Sequence, residues 1–149
     1  MKVALHRFVS FLAEHPVAAS FLVALVVRLI VAIGSNVLTD TNLIPDEGQY
    51  LVLALMASEG ELTPEFWGGY GQSLFDSTKV FMWPLTALFW LFGPSRFVAQ
   101  VPVILFGAAT AAGAAALAHR LLRGPYALGA GLMVAIFPSQ VLWSSVVLR

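Results

Sequence analysis

Three features of this sequence predict an all-α integral membrane fold. Of its 149 residues, 59% are hydrophobic and only 11% charged, where a soluble domain carries about a quarter charged. Three apolar stretches reach roughly the 20 residues that a helix needs to cross a hydrocarbon core about 30 Å thick. All the acid except Glu14 is gathered between the first two of them, at Asp40, Asp46, Glu47, Glu59, Glu61, Glu65 and Asp76. The formal net charge is zero, so the basic footprint of a nucleic-acid partner is missing. There is no cysteine, which excludes disulfides, thiolate metal sites and cysteine nucleophiles. His6, His15 and His119 are scattered without metal-ligand spacing.

The elements follow in order. MKVALHRFVSFLAEH (1–15) is a short amphipathic stretch whose Lys2 and Arg7 suit a cytoplasmic interfacial helix. Residues 16–37 form the first span, apolar apart from Arg28 and a few small polar residues. This run exceeds the 7–15 residues of a secretory signal core and no small-x-small cleavage site follows, so it is expected to be retained. A long loop (38–96) comes next, with the tract EFWGGYGQ and an apolar stretch, Tyr50 to Ser58, that predicts a juxtamembrane helix. Within it, VFMWPLTALFWLF (80–92) would be about 20 Å long as a helix, too short for a span. Its aromatic residues and Pro84 predict a re-entrant or interfacial helix.

Residues 97–118 are the second span. Its FGAATAAGAAALA tract, with Gly107 and Gly113, predicts close helix packing, because small residues let backbones approach in lipid. A short loop, HRLLRGP (119–125), leads to the third span (126–148), which contains Pro138. If 80–92 crossed the membrane, Arg120 and Arg123 would lie outside; if it is re-entrant, they join Lys2 and Arg7 inside. The positive-inside tendency favours the second arrangement: three spans, a cytoplasmic N-terminus and the acidic loop outside, in a multi-pass plasma-membrane protein.

Within the loop, LIPDEGQYLVLALMASEG (43–60) sets Asp46 and Glu47 side by side behind Pro45. Adjacent carboxylates at a membrane surface suit several chemistries. They can hold a divalent cation, joined by Asp40. One can serve as general base toward a hydroxyl, and paired carboxylates recur where glycosidic bonds are made or broken. The plainer reading is that Asp46 caps the helix beginning near Gly48. Lys79 is weighed between a phosphate-facing cation and a lysine snorkelling to headgroup level, and Arg96 between a second cation and a topology anchor. Arg28, a charge in mid-span, is a site candidate by default or a structural partner of an acid or of backbone carbonyls.

IPDEGQY (44–50), STKVFMWP (77–84), FGPSRFVAQVPVILFG (92–107) and the closing ALAHRLLRGPYALGAGLMVAIFPSQVLWSSVVLR (116–149) carry a resemblance. Together, and in this order, they resemble the N-terminal part of the C-type membrane glycosyltransferases, which include the protein O-mannosyltransferases and the aminoarabinose transferases. The resemblance implies transfer of a sugar from a polyprenyl-phosphate donor to a lipid, glycan or protein acceptor at the extracytoplasmic face. It implies Asp46 as the catalytic carboxylate with Glu47 in support and Lys79 facing the lipid phosphate; Tyr50 and the mid-span Arg28 are further substrate-binding candidates. The sequence specifies no cofactor; Asp46 and Glu47 could hold a divalent cation.

Members of that family continue past the serine-rich tract with a further acid, so this sequence is expected to be the N-terminal portion of such an enzyme. The rest of the enzyme or a partner subunit would complete it. Two rival functions stand beside this one. The chain could be a non-catalytic membrane subunit, scaffold or truncated inactive product whose acidic loop docks a partner. It could also be a transporter or flippase component with Arg28 on the path.

Overall fold

The computed structural model describes residues 14–38, 47–63, 65–122 and 125–144. The segments 1–13, 39–46, 123–124 and 145–149 and residue 64 lie outside the described residues, and with them the expected N-terminal interfacial helix, Asp40, Asp46 and Arg123. Every described element is helical: α1 (Pro16–Leu38), α2 (Glu47–Glu59), a 3-10 turn (Phe66–Gly69), α3 (Tyr70–Ser77), α4 (Lys79–Phe92), α5 (Arg96–Leu121), α6 (Pro125–Ile136) and α7 (Pro138–Trp143). The all-α prediction therefore holds among the described residues.

Among the described residues, two helices are long and apolar enough to cross a membrane: α1 with 23 residues and α5 with 26. At 1.5 Å per residue they measure roughly 35 and 39 Å. The third predicted span is not one helix. It breaks at Phe137, which is extended (φ −61°, ψ 119°), into α6 and the six-residue α7. Pro138 is the cause, since it lacks an N–H and keeps the residue before it out of the helical region, while suiting the first position of the next helix. The segment predicted as re-entrant or interfacial is the 14-residue helix α4, with Pro84 inside it.

The chain divides into two compact units, and the division falls inside α1 and α5. In the first unit (1–31 and 104–144), most of the buried positions among the described residues are small, Arg28, Ile104 and Val141 being the large ones. Ala24, Ala108, Ala111 and Ala135 form its core, with Phe21, Val23, Leu25 and Val134 packed around them. The close approach has an identifiable origin. A Cβ at Gly131 would collide with the Ser20 side chain, and one at Gly107 would lie 2.5 Å from Arg28 Nε. Gly113, which the sequence also marked for close packing, faces open space. The large aliphatics point the other way: Leu22, Val26 and Ile30 of α1 are exposed while Ala19, Ala24 and Arg28 are buried. Helices of water-soluble proteins turn their greasier face inward, so this inverted pattern suits a helix whose outer surface meets lipid.

The second unit (32–103 and 145–149) is built on α2 against α4. Its core is Tyr50, Leu53, Ala54, Met82, Leu85, Phe89 and Ala99. At the joint between α3 and α4, the Thr78 N–H reaches the carbonyls of Leu74 and Phe75 at 3.1 and 3.2 Å, and its hydroxyl also donates to Leu74 O at 2.6 Å. The Thr78 carbonyl then accepts from Phe81 and Met82, both at 2.9 Å, so one residue ends α3 and begins α4. Gly93 stops α4 at φ +79°, its N–H donating to Phe89 O at 2.9 Å, a conformation that favours glycine. Two residues on, Ser95 caps α5, its hydroxyl accepting from Val98 N at 3.1 Å. The outer face of α4 carries Val80, Trp83, Trp90, Leu91 and Phe92, all strongly exposed.

Candidate functional site

The sequence LIPDEGQY places Glu47 at the first position of α2, where a carboxylate is favoured by the helix dipole and by unpaired N–H groups. Glu47 is nonetheless fully buried, and an unpaired carboxylate in that position would be costly. Arg96 meets the cost. It stands at the start of α5, positioned by the Gly93 stop and the Ser95 cap, and presents its forked edge to Glu47. Arg96 Nε lies 3.3 Å from Oε1 and Nη2 3.5 Å from Oε2. Both contacts exceed the roughly 2.7–2.9 Å of a tight guanidinium–carboxylate pair. Only 14% of the Arg96 side chain is exposed, so the pair is shielded from solvent.

One turn further along α5, Gln100 is fully buried. Its amide oxygen accepts from Asn36 Nδ2 at 2.6 Å and its Nε2 donates to Ser35 Oγ at 3.4 Å. Arg96 and Gln100 are four apart and share a face of α5, so the second unit has a polar seam in an otherwise apolar helix. Sequence reasoning missed Gln100, Asn36 and Ser35. The available signal was a Gln in an apolar helix spaced four residues from an Arg.

Tyr50 lies one turn after Glu47 and is buried, its ring edge-on to Phe81 with centroids 6.0 Å apart. Lys79 opens α4 and pairs with Asp76 at 3.1 Å, with both side chains about half exposed. Gln72 Nε2 donates to the other Asp76 oxygen at 3.1 Å. The Gln72 hydrogen bond first, and Lys79 second, hold the Asp76 carboxyl below its ordinary range. Thus Glu47, Arg96 and Tyr50 belong to one packed region, whereas Lys79 sits on an exposed pair of its own.

Arg28 belongs to the first unit and is fully buried. Its Nη1 donates to Ala24 O at 3.2 Å and Ala135 O at 3.1 Å, and its Nε to Ser144 Oγ at 2.6 Å. Ala135 lies in the last turn of α6, where the break at Pro138 strands backbone carbonyls, so Arg28 caps a broken helix and neutralises its negative end. The sequence allowed for carbonyls from a span absent from the chain; the carbonyls come from the chain itself. Arg28 Nη2 has no hydrogen-bond partner among the described residues.

Among the described residues, no group of three His, Cys, Asp or Glu gathers as a metal site. Both Glu47 oxygens face the Arg96 guanidinium. No family model matches the sequence, and neither a curated protein nor a solved structure matches the chain.

Proposed function

We propose that the chain is the N-terminal membrane module of a glycosyltransferase that uses a polyprenyl-phosphate sugar donor, with Asp46 as general base. The observation that carries this reading is the buried Glu47–Arg96 pair. It pins the first residue of α2, and Asp46 is the covalent neighbour of that pinned residue. Glu47 is the positioning member of the acidic pair and Asp46 the reactive one. In the transfer step, the acceptor hydroxyl oxygen bonds to the anomeric carbon while that carbon's bond to the phosphate oxygen breaks. The electron pair departs with the polyprenyl phosphate, and the hydroxyl proton passes to Asp46. Lys79 exchanges Asp76 for the phosphate of the leaving group and stabilises its charge.

In the same reading α1 and α5 cross the membrane, the broken α6–α7 segment makes a third crossing, and the aromatic outer face of α4 lies at the headgroup level of the outer leaflet. The inverted burial pattern of α1 and the exposed Trp83 and Trp90 support this placement. The test is Asp46→Asn in the complete protein, assayed for sugar transfer in membranes. The amide keeps the side-chain size and the helix-capping oxygen but not the proton-accepting charge. Transfer is expected to fall about a hundred- to ten-thousand-fold, with membrane insertion unchanged. Transfer at the unmodified rate would overturn the assignment.

A further inference from the structure

In the first unit a groove of about 690 Å³ runs along α1 and α5, within the roughly 300–1,000 Å³ of small-molecule sites. Its lining is graded along its length. At one end stand Glu14 and His15, just ahead of α1, and His119, in the last turn of α5. From there α1 contributes Val17, Phe21 and Leu22, and α5 contributes Ala112. Leu22 and Ala112 each lie seven residues from the histidine of their own segment, about 10 Å further in at helical rise. The groove is accessible: Glu14, His15, Leu22 and His119 are exposed, and Phe21 and Ala112 partly so.

Where α1 and α5 cross the bilayer, this grade sets the polar end at headgroup level and the apolar length in hydrocarbon. It matches an amphiphile standing in the membrane. A further apolar helix would press hydrophobic surface against Glu14 and two imidazoles, leaving them without polar partners. A water-soluble ligand would leave the apolar length unfilled.

We propose that the groove holds a phospholipid whose headgroup carries a primary ammonium beside its phosphate, as in phosphatidylethanolamine. Charge complementarity selects it. Glu14 accepts hydrogen bonds from the ammonium, a charge-assisted contact, and His119 donates a ring N–H to the phosphate. A headgroup with net negative charge would meet Glu14 with like charge. A trimethylammonium headgroup has no N–H for Glu14 to accept. Val17, Phe21 and Leu22 take the acyl chain. The inference rests on α1 and α5 crossing the membrane, and not on the chemistry assigned to Asp46.

The experiment is native mass spectrometry of the complete protein released from nanodiscs with equal amounts of phosphatidylethanolamine, phosphatidylcholine and phosphatidylglycerol. Phosphatidylethanolamine should be retained over each competitor by at least about tenfold, a 1.4 kcal/mol difference in binding. Glu14→Gln should bring its ratio to phosphatidylcholine close to one. His119→Phe should lower retention of both, since both carry the phosphate. Leu22→Trp, at an already exposed position, and Ala112→Phe narrow the apolar length and should lower retention of all three lipids; the first keeps the test decisive if the second fails to fold. Equal retention of the three lipids, a preference for phosphatidylglycerol, or a preference indifferent to Glu14→Gln overturns the proposal. So does p-benzoylphenylalanine at Leu22 crosslinking in native membranes to a second copy or to another protein instead of to phospholipid. Release of the protein from membranes by alkaline carbonate would remove the crossing itself and the proposal with it. None of these readouts depends on sugar transfer, so the two readings fail separately.

Discussion

Glu47 and Arg28 are both fully buried ionisable side chains, yet their charges are offset differently, and their variants should differ accordingly. Glu47 is held by a guanidinium, so removing one partner strands the other. Arg96→Gln should destabilise the protein by about 3–5 kcal/mol, and the double variant Glu47→Gln/Arg96→Gln by clearly less, because neither side then keeps an unpaired charge. Chemical denaturation in detergent would measure both; equal losses would mean that the pair does not act as a pair. Asp76 behaves as a surface group. Its carboxyl is held low by Gln72 and then by Lys79. A lowered value means that its contribution is fully present above the ordinary Asp range and fades as pH falls through the lowered one. An NMR titration of Asp76 should therefore move upward in Gln72→Ala, and by less in Lys79→Gln.

Helices in this protein are ended and joined by single residues, and the same residue type has opposite effects in different places. Gly93 stops α4 at φ +79° with open space where a Cβ would go. Gly93→Ala should cost roughly 1–2 kcal/mol from backbone strain alone. Within helices, Gly113→Ala should stabilise by roughly 0.5–1 kcal/mol, since no neighbour lies near the added carbon. Gly131→Ala should destabilise, because the added carbon meets Ser20 and Ala115. Thermal unfolding of the two variants side by side checks the contrast, and a shared sign would contradict the packing described for the first unit. Pro138 divides α6 from α7, and Arg28 bonds to Ala135 O in the last turn of α6 and to Ser144 Oγ at the C-cap of α7.

Across the whole molecule, the proposed topology puts residues 38–96 outside the cytoplasm and 119–125 inside. A cysteine at Ser77, an exposed position at the end of α3, should react with a membrane-impermeant reagent applied to intact cells. A reporter fused after Gly124 should behave as cytoplasmic. Labelling of Ser77→Cys only after the inner face is opened would reverse the orientation, and an extracytoplasmic reporter at Gly124 would mean that α4 crosses.

Much of the secondary structure was legible because it is local. Apolar runs of span length, prolines at helix starts, Gly93 before a proline, and Ser95 ahead of a helix are all written in consecutive residues. The acidic pair was legible as a candidate for the same reason, since adjacency is a sequence property. Burial is not. That Glu47 is enclosed and forked to Arg96, 49 positions away, depends on α2 and the start of α5 meeting. No local signal separates it from a solvated cap.

The sequence pointed to Gly107 and Gly113 alike, but only the tertiary packing made Gly107 a close approach and Gly113 an open one, and it singled out Gly131. The sequence by itself determined the helical class, the apolar segments and the chemistry that each segment can offer. The tertiary structure decided which charges are enclosed and by what, because enclosure is set by side chains brought together from distant positions, and the cost of an unpaired charge is felt only there.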